Sequence, residues 1–438
     1  MTLTLQKNAG AARRFSKMLR LANGVQNLPN RLTPPPFRLL QIGSAFWQSR
    51  ALYVATRLDI ATALGDARLT AEEIAVRVAA TPDALYRLLR MLAAAGIFEE
   101  VAPRIFANNR LSTYLRTDEP HNVRAMILMH NADAMSRPWY EQLEQSIKTG
   151  EVPFELAHGQ PLFEYMNQHP DFDALFAQAM DSVEALAGDS FARDFDWGRF
   201  ARIIDVGGAN GSKSITLLKH HSHLQAVVVD RALVIEGAKQ SWVGRESPDL
   251  LARLQFQVGN LLEAVPQAVN DKDLYLLSAI LHGFDDENSG VILRNLAKAV
   301  GATGARVAIM EVVMADTRPD LASTTFDLQM FVGTRGRERT LAQWRDLFER
   351  DGWLLEEVVD LRSFAKILVL RLESTVQAHS RHLYQRFSAF AYSLKAFLKS
   401  GGYRCADPAS AGFYLSDRTG CRTMHRHRQP SQTAKPAR

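Results

Sequence analysis

In "ILHGFDDEN", residues 280–288, a histidine follows directly on the apolar run Leu276, Leu277, Ala279, Ile280, Leu281 and stands just ahead of a glycine and an acidic cluster. An imidazole at the end of a buried strand, His282, is the side chain best suited to take up and release a proton near neutral pH. Further up the chain, "DVGGANG" at 205–211 lies between an apolar run and a helical pattern, where backbone amides point at whatever sits beyond the strand end. The loop misses the dinucleotide fingerprint GxGxxG and instead reads DxGxGxG with Ala209 in the middle position. Asp230 closes the next apolar run, a usual place for a carboxylate that accepts two hydrogen bonds from ribose hydroxyls. A proton acceptor beside a ribose-binding loop is one reading of these residues. A satisfied strand-end histidine, with a tight turn and a capping aspartate, is the plain structural one.

The elements that must position these side chains begin at Arg202. "RIIDVGG", "LQAVVVD", "LQFQVGN", "DLYLLSAIL" and "ARVAIMEVV" read as five strands alternating with helical stretches. A helix at "TLAQWRDLFERDG" and two further strands, "WLLEEVVDL" and "KILVLRLE", follow. The expected fold class is α/β, a Rossmann-like, doubly wound and mostly parallel sheet. Ahead of it, "TAEEIAVRVAA" opens with Thr70 and Glu73 in capping-box spacing, a second helix runs from about Pro82 to Ala95, and "IFEEVAPRIFANN" reads as a hairpin. Two helices and a hairpin make a winged-helix arrangement. Its second helix offers only Arg87 and Arg90 as bases among Leu85, Leu88, Leu89, Met91 and Leu92, so it suits burial at a dimer interface rather than a DNA groove. The stretch from about Asn122 to Phe195 is helical and rich in methionine and aromatic residues, mostly for packing. The expected organisation is a basic arm (1–36), a winged-helix dimerisation domain (37–121), a helical connector (122–198), the sheet domain (199–373) and a basic extension (374–438).

The formal net charge of +5 conceals an uneven distribution. Nine bases precede the first acid, Asp59, and eleven bases against two acids follow Glu373, so the stretch between is strongly acidic. A nucleic-acid binder would carry its positive charge on the folded surface, which this chain does not. No apolar stretch has membrane-spanning length and no leader pattern opens the chain, so no membrane partner and a cytoplasmic location are expected. Both cysteines, Cys405 and Cys421, lie in the basic extension, with His425 and His427 close by. This usage fits a reducing compartment, and the histidines read as part of a solvated basic tail; no metal site is expected.

From about Phe37 to Glu373 the chain resembles the S-adenosylmethionine-dependent O-methyltransferases of small hydroxylated aromatics, the group that includes caffeate and hydroxyindole methyltransferases. The resemblance rests on "LYRLLRMLAAAGIFEE", "GQPLFEYMNQHPDFDALFAQAM", "IIDVGGANG", "ILHGFDDE" and "DLQMFVGTRGRERTLAQW". It implies a homodimer and an S-adenosylmethionine site at Gly207, Gly208, Gly211, Asp230, Asn260, Leu261, Ser278 and Phe284. It also implies an acceptor pocket at Met129, His130, Phe172, Phe176 and Met180, with His282 as general base flanked by Glu311 and Glu338. The pattern of elements agrees: His282 is expected to end the fourth strand, Glu311 the fifth, and Glu338 to precede the helix begun by Thr340.

The activity so implied is methyl transfer to a hydroxyl of an aromatic or polyketide-like acceptor. The donor is already activated, and the protein must align the acceptor and remove its proton. A phenol near pKa 10 and an ordinary histidine near 6.5 differ by about 3.5 units, or about 4.8 kcal/mol, so the base needs help from a carboxylate on its other nitrogen. The chain departs from the family where Gly283 and Phe284 replace the usual Asp-Trp, Asn260 an aspartate, Ser278 a lysine, and Arg231-Ala232 the Leu-Pro of "DLP". These changes motivate an alternative, a cofactor-binding relative that carries out hydroxylation, decarboxylation or rearrangement. A winged-helix DNA-binding regulator is a third.

Overall fold

The computed structural model describes residues 4–26, 29 and 32–373. Cys405, Cys421, His425, His427 and the rest of the basic extension lie outside the described residues.

Three short strands, β1 (Leu69–Thr70), β2 (Phe98–Ala102) and β3 (Ile105–Asn108), form an antiparallel sheet in the order β1-β3-β2. Thr70 caps the helix Ala71–Arg77 in a full capping box with Glu73. The helix Pro82–Ala94 buries Leu85, Leu89 and Leu92 against this unit's own core while Arg87 stays exposed and pairs with Asp83, so its apolar face is spent on packing.

The larger sheet holds β4 (Arg202–Val206), β5 (Gln225–Asp230), β6 (Leu254–Val258), β7 (Asp273–Ser278), β8 (Arg306–Met314), β9 (Arg339–Thr340), β10 (Trp353–Asp360) and β11 (Ala365–Leu372). Its order is β10-β11-β8-β7-β4-β5-β6, with β9 added beside the end of β8. β4 to β8 are mutually parallel where they pair; β11 runs antiparallel to both β8 and β10. The expected doubly wound sheet is therefore present, with an antiparallel edge. Alternate residues feed opposite faces: Ile203, Leu274 and Leu276 enter one core cluster, Ile204, Tyr275 and Leu277 the other. Strand order reverses between β4 and β7, which opens a crevice at their carboxyl ends.

Helices between Arg124 and Asp194 form a layer over that crevice, built on a cluster that includes Met129, Met135, Phe154, Leu162, Met166 and Phe172. The longest, Pro170–Ala187, is tied to the sheet domain by Asp173 with Arg231 (3.0 Å), Asp181 with Asn210 (2.6 Å) and Glu184 with Lys213.

The basic arm is anchored at its start. Leu5 is fully buried in the sheet-domain core, the Leu5 and Gln6 amides donate to the Glu357 carboxylate, and Gln6 bridges Phe195. The helix Ala9–Gln26 follows. Removing a buried leucine side chain costs about 2–5 kcal/mol, so Leu5→Ala should lower unfolding stability by that order in denaturant titration. A change under about 0.5 kcal/mol would show that the arm is not anchored there.

Candidate active site

The crevice brings together residues from four places in the chain. After β4, the loop 207–211 turns with Gly207 and Gly211 at positive φ and leads into the helix Ser212–His220. Gly208 lies so close to Asp205 that a Cβ there would sit 2.7 Å from the carboxyl carbon. Asp205 is itself buried, accepts from Ser214 at 2.7 Å, and is pushed up to about 6 by that burial.

Asp230 ends β5 opposite this loop. One of its oxygens accepts the Ala209 amide (2.9 Å) and the other the Arg231 amide (2.7 Å), so both keep acceptor capacity for hydroxyl donors. Burial raises its carboxyl above the ordinary range against the pull of those amides. Asn260 follows β6, exposed, and caps the turn at Leu262, with Leu261 partly buried beside it. Ser278 ends β7.

His282 does not end its strand, as the sequence pattern suggested. β7 stops at Ser278, and Ala279 takes a left-handed conformation at φ 53° that breaks the extended run. His282 then lies on a 3₁₀ turn, Leu281–Gly283. A non-glycine residue in that region costs on the order of 1–3 kcal/mol, and a buried carboxylate offsets it. Glu311 Oε1 accepts the amides of Ile280 (2.9 Å), Leu281 (2.9 Å) and, more distantly, His282 (3.4 Å). Glu311 likewise sits inside β8 rather than at its end, because β8 runs on to Met314 to pair with β9. Glu338 immediately precedes β9, whose last residue, Thr340, caps the following helix in a second capping box.

The three side chains converge. His282 Nδ1 lies 2.7 Å from Glu338 Oε1 and 3.8 Å from Glu311 Oε2. Both carboxylates are buried, and the Asp327 carboxylate accepts the Glu338 amide at 2.9 Å. Burial alone would lower the His282 pKa, but the charge of Glu311 and the bond to Glu338 outweigh it and push it up to about 9. Burial in turn holds the Glu311 carboxyl above its usual range. Glu311 Oε2 and Glu338 Oε2 are buried without a hydrogen-bond partner.

Of the expected acceptor-pocket residues, Met129 and Phe172 lie inside the helical layer's apolar cluster, Phe176 and Met180 at its margin, and His130 is exposed. Phe284 faces Phe163 of the helical layer, ring centroids 6.3 Å apart and nearly parallel. Phe163 belongs to the methionine and aromatic stripe that the sequence assigns mainly to packing, and it is not among the expected pocket residues. Gly336 was also missed: a Cβ there would overlap the His282 carbonyl oxygen and lie 2.6 Å from the Gly283 carbonyl carbon. Only glycine lets the segment before Glu338 lie on the histidine turn. At Gly283, by contrast, a Cβ would meet nothing within 4 Å.

Residues 140–354 match the model of an O-methyltransferase domain, and residues 40–118 that of an O-methyltransferase dimerisation domain. A phenazine O-methyltransferase of Lysobacter antibioticus is 31% identical over 333 residues, 76% of this chain and 95% of the relative. A phenazine-1-carboxylate N-methyltransferase of Pseudomonas aeruginosa is also 31% identical, over 76% of this chain and 96% of its own. Among solved structures, an O-methyltransferase from neocarzinostatin biosynthesis, in complex with S-adenosylmethionine and 2-hydroxy-5-methyl naphthoic acid, superposes with a TM-score of 0.64. It is 28% identical and covers 74% of this chain and 95% of that one. The residues at the crevice suit that cofactor: Asp230, with acceptor capacity left on both oxygens, faces a glycine loop that leads into a helix. With the winged unit, the reversed-order sheet and this match over most of both chains, the protein belongs to the S-adenosylmethionine-dependent O-methyltransferase family.

Proposed function

We propose that the protein methylates a hydroxyl of a small aromatic or polyketide-like acceptor, with His282 as the general base. The observation that carries this reading is the 2.7 Å contact between His282 Nδ1 and Glu338, backed by Glu311. A carboxylate on Nδ1 keeps the proton there and leaves Nε2 as the basic nitrogen. S-adenosylmethionine, when bound, supplies the activated methyl group. The chain's own residues then have two tasks, to hold the acceptor and to remove its proton.

The raised pKa bears on the second task. An imidazole at about 9 narrows the gap to a phenol near 10 from about 3.5 units to about one, or about 1.4 kcal/mol. In exchange, only about one molecule in a hundred holds a neutral His282 at pH 7 in the ligand-free enzyme. A ring nitrogen with a free lone pair would need no such base. The triad therefore favours an oxygen acceptor here, although some relatives are N-methyltransferases. The relatives named for phenazines, and the neighbour bound to a naphthoic acid, support a flat, multi-ring acceptor.

Gly207, Gly208, Gly211, Asp230, Asn260, Leu261, Ser278 and Phe284 are proposed to hold the cofactor, with Asp230 on the ribose. Met129, His130, Phe172, Phe176 and Met180 are proposed to set acceptor shape; Met129 and Phe172 would act from within the apolar layer, by backing its surface. A homodimer fits the exposed apolar residues Phe37, Leu40, Phe46, Trp47 and Val54 on the helices Pro35–Gly43 and Ala45–Arg57, which need cover.

Three outcomes follow. His282→Ala should lower kcat by roughly two to four orders of magnitude, the range for a positioned general base, with cofactor affinity by calorimetry little changed. Turnover within threefold of the parent would rule the histidine out as base. The pH profile of kcat/KM should rise through about 9, because only the neutral imidazole accepts a proton, and Glu338→Gln should move that limb to lower pH by removing a charge that favours the imidazolium. A limb unmoved by Glu338→Gln would contradict the pairing. Light scattering should give twice the chain mass for the parent and a folded monomer for Trp47→Glu. A dimer in both would put the interface elsewhere.

A further inference from the structure

Arg339 is a fully buried guanidinium that the proposed transfer does not use. A buried charge is costly unless its donors are met, and these are met on the turn that carries His282, on Asp286 just beyond it and, at 3.5 Å, on the Arg337 carbonyl. Nη1 donates to the Leu281 carbonyl (3.0 Å), Nη2 to the Phe284 carbonyl (3.0 Å) and to Asp286 Oδ1 (2.7 Å), and Nε to the same Asp286 oxygen (3.1 Å). The guanidinium lies over the Trp344 ring, 4.9 Å from its centroid. Leu281 and Phe284 bracket His282 and Gly283, so one rigid fork spans the whole turn.

The opposite side of that turn is held by Glu311, which accepts its amides. The turn is thus clamped between an anion on its N–H groups and a cation on its carbonyls. Arg339 also directly follows Glu338, and in the extended segment that becomes β9 consecutive side chains point to opposite sides. One residue bonds the imidazole; the next bonds the backbone from which that imidazole projects. The charged groups facing the clamp are Asp286, which also pairs with Arg337, Arg350 on the Asp286 carbonyl, and Glu311 on the far side of the turn.

We propose that Arg339 is a positioning residue of the active site, which sets the 281–284 turn in register with Glu338 so that His282 Nδ1 meets its carboxylate. The proposal rests on the reading of His282 as general base. A lysine ammonium lacks the planar fork and keeps the charge without its fixed geometry, so Arg339→Lys should be an incomplete replacement. Arg339→Met keeps much of the volume and none of the donors.

The test uses full-length Arg339→Met, Arg339→Lys and His282→Ala, with Asp286→Asn as a milder loosening of the same fork should Arg339→Met fail to fold. Each is measured for cofactor affinity by calorimetry, thermal midpoint, and kcat against pH on an acceptor that the parent turns over. Arg339→Met, or Asp286→Asn in its place, should lose roughly ten- to a hundredfold in kcat, as for an ångström-scale misplacement of a reacting group. Its ascending limb, the rise of rate with pH, should move down toward the ordinary histidine range, and its cofactor affinity should stay within about twofold. Arg339→Lys should restore part of both kcat and limb. A lower thermal midpoint with kcat and limb unmoved would make Arg339 a structural residue only and overturn the proposal. If instead His282→Ala retains parental turnover, the reading of the base has failed, and that result is distinguishable because it does not involve Arg339.

Discussion

The active site depends on one carboxylate meeting a run of backbone amides. Where β7 ends, Ala279 turns the chain into a left-handed conformation, and the amides that follow have no strand partner. Glu311 reaches them from the neighbouring strand and accepts from Ile280, Leu281 and His282 with a single oxygen. Without that acceptor, the kink would combine backbone strain with buried, unpaired N–H groups. With it, the chain leaves the sheet at a fixed angle, and His282 is presented where Glu338 can reach its Nδ1. The second Glu311 oxygen remains beside the imidazole and contributes negative charge to it.

The surrounding fold supplies the conditions for this arrangement. Reversal of strand order between β4 and β7 places the glycine loop, Asp230 and the histidine turn on one crevice, so the proposed cofactor site and the proposed base share a wall. The helical layer closes over it through contacts with the glycine loop and with Arg231, and through Arg335 on Glu155 and Trp139 on Gln329 at the other end. Among the described residues no helix is long and apolar enough to cross a membrane, and none of the His, Cys, Asp and Glu residues cluster as a metal site.

Much of this was legible in the sequence because it is local. The strands of the sheet read as apolar runs since both faces are buried, the glycine loop is a contiguous motif, and the Thr70–Glu73 capping box has fixed spacing. What escaped was set by contacts between distant segments. The end of β7 was read too late because Ala279, Ile280 and Leu281 continue the apolar run although the backbone has already turned. Nothing in the sequence marks Gly336, since only the fold shows that a Cβ there would strike the His282 backbone. Nothing in the sequence sets Arg339 apart from an exposed base; its burial depends on Trp344 and the 281–286 segment together. Leu5 and Gln6 were grouped with a basic arm, because the strand edge and Glu357 that hold them lie at the other end of the sheet domain's sequence.

The proposed proton transfer requires His282 to be a strong base whose proton is kept on Nδ1. Nitrogen-15 NMR of the full-length protein with labelled histidine, His282 being assigned by its loss in the alanine variant, reads both properties in the ligand-free state. The predicted result is an Nδ1–H tautomer in the neutral form, with protonation of Nε2 at a midpoint near 9. An Nε2–H tautomer, or a midpoint at or below the ordinary value of about 6.5, would contradict it.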